Sequence, residues 1–428
     1  QAPEKVSPQS VSLSTATPAP SPVTPTPLPT PTSFPEPTVA SLSKNDGPAA
    51  FRYLTELSTE FAPRASGTRE ESAAAEYLVS RFEEFGYETG LQEFTTEMLS
   101  PELSGLTLDT PGGEKVAVIP LVRSAIGTVS GRFTSAGLAR EEDIPEGGLE
   151  GKVALVERGL IRFNEKVLRL TEAGAVGVVI YNNAQGSFQG VLSAGGREIP
   201  AVAISREEGE RLLELIAKDE VRATVTVAVD SRPSQNVLAE MTGSGPGVVV
   251  LGAHYDTLPG VPGANDNGSG TAVLLAIAEE LAGHTLPFTV RFIAFGSEEV
   301  GLRGSAHYVD SLSVEQRDEI IVMLNFDALG GGESLEILGD APLVDRVAEL
   351  AQNEGIVVSK GRDRRGSSSD HASFRRAGIP ILMVSAQDFS KIHSADDTLE
   401  HVNPDLLQDT VRLAVSLLLR PNPFDEGL

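Results

Sequence analysis

The chain has 428 residues, enough for two or three domains with real cores, and its 40% hydrophobic and 22% charged residues are those of an ordinary globular protein. Sixty Asp and Glu against 34 Lys and Arg give a net charge of −26, which makes nucleic acid and anionic membrane poor partners, because phosphate binding needs basic patches. There is no Cys, so disulfides and thiolate metal sites are excluded, and no apolar run approaches the roughly 18 residues that span a bilayer.

The first forty residues carry eleven of the 28 prolines and thirteen Ser or Thr. Such a composition cannot bury a core, so residues 1–45 are expected to form an extended, disordered stalk. A Pro/Thr stalk behind a first residue that is Gln1 rather than Met suggests a processed protein, secreted or held at the cell surface.

Order is expected from about Asp46. "GTREESAAAEYLVSRFEEFGY" predicts a helix, with Thr68 as cap, Glu71 completing a capping box, an apolar stripe of Ala75, Leu78, Val79 and Phe82, and Gly86 as the stop. From 126 to 229 the texture changes. "GKVALVERG" predicts a strand, "FNEKVLRLTEAGAVGVVIYNN" a helix and a strand, and "IPAVAISREEGERLLELIAKDE" a strand and a helix. This stretch contains no His and no catalytic-looking set, so it predicts a small α/β module inserted into a larger domain built from 46–125 and 230–428.

After Gly247 strands and helices alternate: "GVVVLGAHYD", "SGTAVLLAIAEELA", "FTVRFIAFGSEE", "GLRGSAHYVDSL", "IIVMLNFDALG", "LVDRVAELAQNEG", "IPILMVS" and "NPDLLQDTVRLAVSLLLR". The alternation predicts an α/β fold with a mostly parallel, mixed sheet sandwiched by helices. Ligands of such sheets bind at the carboxyl ends of the strands.

That edge collects the polar residues. His254 and Asp256 end the first strand, Asp266 lies before the first helix, Glu298 and Glu299 end the second strand, Asp327 ends the third, and His393 follows a later one. Carboxylates beside a buried sheet are costly unless paired or metal-bound. Taken singly, each residue has a structural explanation, as a core histidine, a helix cap or a solvated loop. Their convergence points instead to divalent metal. Oxygen and nitrogen donors without thiolate suit zinc, with manganese or cobalt as alternatives, and the number of ligands suits two ions sharing a carboxylate.

"HYDT", "ANDNGSGTA", "FGSEEVGLRGS", "LNFDALG", "SSSDHASF" and "IHSADDT" together resemble the zinc aminopeptidases of clan MH. The resemblance implies a zinc-peptidase fold, two Zn2+ per chain and peptide substrates. It also implies His254, Asp266, Glu299, Asp327 and His393 as metal ligands, with Asp266 bridging. Glu298 becomes the general base and Asp256 the acid that orients His254. It further implies a cis Asp266–Asn267 bond. The 126–229 segment resembles the protease-associated (PA) domain, which would form a lid or a substrate-guiding wall.

Two positions depart from the family pattern. Ile392 stands where some relatives carry an oxyanion-steadying tyrosine, and Ser368 where some carry a substrate-holding arginine, with Arg362, Arg364 and Arg365 upstream. The reading is therefore metal-assisted removal of N-terminal residues. The alternatives are a carboxypeptidase or dipeptidase on the same metals, with the arginine cluster as carboxylate pocket, a mononuclear glutaminyl cyclase-like enzyme, or an inactive binding relative. Retention of His254 and Asp327 speaks against the mononuclear site, and the complete ligand set speaks against the inactive one.

Overall fold

The computed structural model describes residues 48–192, 198–362, 368–420 and 423–424. The expected stalk at 1–45, and Arg364 and Arg365, lie outside the described residues.

The main sheet has eight strands: β1 (Glu88–Leu99), β2 (Val229–Met241), β3 (Val248–His254), β4 (Thr289–Phe295), β5 (Ile320–Phe326), β6 (Leu335–Gly339), β7 (Val358–Lys360) and β8 (Ile381–Ala386). Their order in space is β1-β2-β4-β3-β5-β8-β6-β7. The middle four, β4, β3, β5 and β8, are parallel. Every residue of β3 is buried, as befits a continuous apolar strand covered on both faces. On the flanks β1 pairs with β2 from Glu88 to Leu99, β2 with β4, and β6 with β8, all antiparallel, while the edge strand β7 runs parallel to β6.

The helix Gly270–Leu281 is apolar almost all round and buries ten of its twelve residues, as a helix enclosed by others must. It shares one core with the helices Ala49–Glu60, Arg69–Glu84 and Pro404–Leu418 on one face of the sheet. Tyr308 and Val309 of the helix Arg303–Ser311 and Phe374 of the helix His371–Arg376 pack in a second core with Val250, Ile293 and Met323. These two faces explain where a ligand goes. From β3 the chain passes through Gly270–Leu281 to β4 on one side of β3, then through Arg303–Ser311 to β5 on the other. The crossovers diverge at the carboxyl end of β3 and leave a crevice there.

The Arg69–Glu84 helix begins as expected, with the Thr68 hydroxyl accepting the Glu71 N–H. Glu71 does not close the box on Thr68. Its carboxyl accepts the N–H of Gly67 at 2.6 Å and the Ser234 hydroxyl at 2.7 Å. The pull of β2 on a buried carboxyl wins over the local motif.

A second eight-stranded sheet, from Gly105 to Val227, forms the inserted module. Its strands Gly105–Leu108, Lys115–Val116 and Ile119–Pro120 lie upstream of the expected start at 126. The first is recruited by pairing with Arg222–Val227 and the third by pairing with Ala201–Ile204. The two chain crossings meet where the Ser100 N–H donates to the Ala228 carbonyl.

Candidate metal centre

The crevice at the end of β3 contains all seven residues singled out from the sequence. His254 is the last residue of β3, Glu298 and Glu299 follow β4, and Asp327 follows β5. Asp266 sits in the turn Ala264–Ser269, where its backbone is non-helical at φ −113° and ψ 96°, just before Gly270–Leu281, and its bond to Asn267 is cis. His393, at a left-handed φ of 59°, comes from the loop after β8.

Two groups of donors form. His254 Nε2 lies 3.2 Å from Asp266 Oδ1 and 3.5 Å from Asp327 Oδ1. His393 Nε2 lies 2.9 Å from Asp266 Oδ2 and 3.5 Å from Glu299 Oε2. Asp266 thus gives one oxygen to each group. Donor separations of 2.9–3.5 Å match the roughly 3.3 Å edge of a tetrahedron with ~2.0 Å metal–ligand bonds. Imidazole nitrogen and carboxylate oxygen without sulfur suit zinc.

The electrostatics also call for cations. Glu298 and Glu299 are almost fully buried, and both are pushed well above the usual carboxylate range. Burial dominates, and neighbouring carboxylates add to it. For His254 burial works against the charged form, but Glu298 and Asp327 outweigh it and raise the ring. Asp370, at the start of the helix His371–Arg376, is fully buried, and neither of its carboxylate oxygens has a hydrogen-bond partner among the described residues. So much buried negative charge is tolerable only when compensated.

Asp256 has a wider part than orienting His254. Its Oδ1 accepts the Glu298 N–H at 2.9 Å, and its Oδ2 accepts the Glu299 N–H at 3.2 Å and the Ser66 hydroxyl at 2.8 Å. His254 Nδ1 lies 3.1 Å from the Asp256 main-chain carbonyl and 3.6 Å from its carboxylate. The carbonyl therefore fixes the imidazole, and the carboxylate holds the Glu298–Glu299 turn.

Sequence reasoning missed two supporting residues, Arg64 and Asp397, and gave Asn267 no part beyond its peptide bond. Arg64 is fully buried and donates to the carbonyls of Tyr255 at 2.7 Å, Gly263 at 2.8 Å and Leu57 at 3.4 Å, clasping both ends of the Asp256–Gly263 loop. Asp397 accepts the N–H groups of Asn265 at 2.7 Å and Asp266 at 3.0 Å. Asn267 accepts from Gly270 and Ala328 and donates to the Phe326 carbonyl, tying the turn to β5. A Cβ on Gly270 would lie 2.3 Å from that carbonyl, so only glycine permits the approach. Asp397 was visible inside "SADDT" but carried no signal of its own, and Arg64 had none.

The centre opens into a cavity of about 1280 Å3. His371, Ser368 and Ile392 line it, and the inserted module forms part of the wall with Arg123 and the segment Arg158–Asn164. In that segment the Ile161 N–H bonds the Gly159 carbonyl across Leu160, whose φ is 55°. This tight three-residue turn leaves Leu160 83% exposed. A junction core of Val122 with Leu258 and Val261, backed by Val191, seats the module on the Asp256–Gly263 loop.

Residues 236–418 match the pattern of Peptidase family M28, and residues 118–212 that of the PA domain. The chain is 32% identical over 394 residues to Aminopeptidase YwaD of Bacillus subtilis (strain 168), covering 86% of this chain and 83% of that one. Leucine aminopeptidase 2 of Trichophyton equinum is 40% identical over 194 residues, 44% of this chain and 39% of that one. Among solved structures, the zinc aminopeptidase BSAP from Bacillus subtilis superposes with a TM-score of 0.69 at 29% identity, covering 86% of this chain and 93% of that one. The aminopeptidase from Aneurinibacillus sp. strain AM-1 gives 0.63 at 31% identity, with 89% and 95% covered. The fold, the paired donor groups and the extent of the match to YwaD agree, and the chain belongs to peptidase family M28 with an inserted PA domain.

Proposed function

We propose that this protein is a dinuclear zinc aminopeptidase. The observation that carries the reading is the pair of donor groups that share Asp266 at the carboxyl edge of the sheet. His254, Asp266 and Asp327 would hold one zinc, and Asp266, Glu299 and His393 the other. When bound, the ions polarise the scissile carbonyl and make water a nucleophile near neutral pH.

The chain's own residues do the rest. Glu298, buried and anchored through its N–H to Asp256, is the general base. It takes the proton of the attacking water and passes it to the leaving amine. The carboxylates of the centre attract the ammonium of a free N-terminus, which selects exopeptidase cleavage. Names of the relatives support an aminopeptidase and give the carboxypeptidase alternative no support. The PA domain, which we delimit at the Ser100–Ala228 crossing, serves as the substrate-guiding wall. No helix among the described residues is long and apolar enough to cross a membrane, and the Pro/Ser/Thr-rich composition of 1–45 supports an extracellular setting.

The test compares leucine p-nitroanilide with its N-acetylated form, using wild type and Glu298→Ala. Wild type is expected to cleave the free-amine substrate and spare the blocked one, and Glu298→Ala to lose at least a thousandfold in kcat while keeping its zinc. Cleavage of the blocked substrate, or full activity in Glu298→Ala, would refute the reading.

A further inference from the structure

Four described arginines line the cavity: Arg123, Arg158, Arg162 and Arg362. Arg158 is committed, donating to Asn182 at 3.1 Å and lying 4.7 Å from the centre of the Phe188 ring. Arg162 is solvent-exposed at the head of the helix Phe163–Glu172. Arg362 is exposed as well. Arg123 alone of the four is both half-buried and without a hydrogen bond or ion pair among the described residues, and it lines the same cavity as Asp266, Glu299 and His393.

Its backbone is built to hold it there. The Ser124 N–H bonds the Leu121 carbonyl at 2.9 Å, closing a turn whose third residue, Arg123, has a φ of 67°. Glycine or asparagine is the usual occupant of that position. Both neighbours are fixed: Val122 exchanges hydrogen bonds with Gly190 and Leu192, and the Ser124 hydroxyl accepts the Ala201 N–H at 2.8 Å. An arginine kept in a conformation that suits glycine, without a partner, in the wall of the cavity that holds the centre is the kind of outlier that points to function.

We propose that Arg123 is a specificity-determining residue that receives a carboxylate carried by the leaving part of the substrate. The inference rests on the aminopeptidase reading above. Arg123 repels the substrate's ammonium, which therefore turns away from it. The chain beyond the scissile bond then runs toward Arg123. In a dipeptide the terminal carboxylate is only two bonds past the scissile nitrogen, and in a longer peptide an Asp or Glu side chain at the same residue supplies the group. The guanidinium fork matches a carboxylate in either case.

The test measures kcat/KM on two substrate pairs, Leu-Gly against Leu-Gly-amide and Leu-Glu-amide against Leu-Gln-amide. Wild type, Arg123→Gln and Arg123→Lys are compared, each with its zinc content and Tm. Arg123→Gly, which suits a φ of 67°, serves as a second removal variant should Arg123→Gln fold poorly. The carboxylate-to-amide ratio is expected to fall about tenfold or more on removal of the guanidinium, through KM, and to recover partly in Arg123→Lys. A fall in the first pair assigns the terminal carboxylate, and a fall in the second the acidic side chain. Ratios equal in wild type and both removal variants, with free-amine substrates still cleaved, overturn the proposal alone. A wild type that cleaves none of them overturns the aminopeptidase reading and this proposal with it.

Discussion

Replacing Asp256 by Asn separates the two contacts that this residue makes. The main-chain carbonyl that fixes His254 stays in place. The carboxylate loses one acceptor oxygen, while three donors, Glu298 N–H, Glu299 N–H and the Ser66 hydroxyl, still point at it. One charge-assisted bond disappears, the new amide NH2 faces the Glu298 N–H, and the two bonds that remain on the oxygen lose their charge. At about 1.5–3 kcal/mol for a charged hydrogen bond, the expected loss is about 2–4 kcal/mol. An unfolding entropy of roughly 0.8 kcal/mol per kelvin for a unit of this size converts that to about 3–5 °C in Tm. If Glu298 is the base, as proposed, it moves with its backbone, and kcat should fall roughly 10- to 100-fold. Zinc should stay bound, because His254 keeps its support. The assay is differential scanning calorimetry with zinc content and steady-state kinetics on one preparation. An Asp256→Asn protein with wild-type Tm and kcat would refute the assignment of the carboxylate to the Glu298–Glu299 turn. One that loses zinc first would show that the carboxylate, not the carbonyl, supports His254.

Asp397→Asn can accept only one of the two N–H groups that now bond Asp397, so zinc should be stripped by a chelator at roughly tenfold lower concentration than from wild type. Arg64→Met leaves the Tyr255 carbonyl without its donor, while those of Leu57 and Gly263 keep the N–H groups of Phe61 and Gly268, and it should cost about 1–3 kcal/mol in denaturant unfolding. Burial, with the Asp256 charge adding, raises Glu71 from 4.5 to about 8. The folded state thus keeps a proton that the unfolded chain releases, and stability falls as pH rises between those values, by on the order of a few kcal/mol. Glu71→Gln should flatten the decline of Tm from pH 5 to pH 8, and an unchanged slope would count against a buried, protonated Glu71.

Much of this centre was legible because its residues violate the pattern around them. His254, Glu298 and Asp327 each terminate a strand apolar enough to be central, and the alternating order of elements places those termini on one edge. What the sequence hid falls into two kinds. Arg64 and Asp397 act on main-chain groups more than 130 residues away, and a residue that serves a backbone atom leaves no spacing to read. The β1–β2 ladder is half-exposed and rich in Thr, Glu and Gln, so its apolar signal is weak and only pairing over twelve residues makes it strand. The same applies to Gly105–Leu108, which becomes part of the second sheet only through its partner Arg222–Val227.

The central claim is that two donor groups sharing Asp266 hold two metal ions that catalysis needs. Its most direct test is zinc per chain, measured by mass spectrometry on zinc-equilibrated, desalted wild type, His254→Ala and His393→Ala, with activity on leucine p-nitroanilide alongside. The account predicts about two ions in wild type and about one in each variant, with kcat reduced at least a hundredfold in both. One ion or none in an active wild type, or two retained with full activity in either variant, would contradict it.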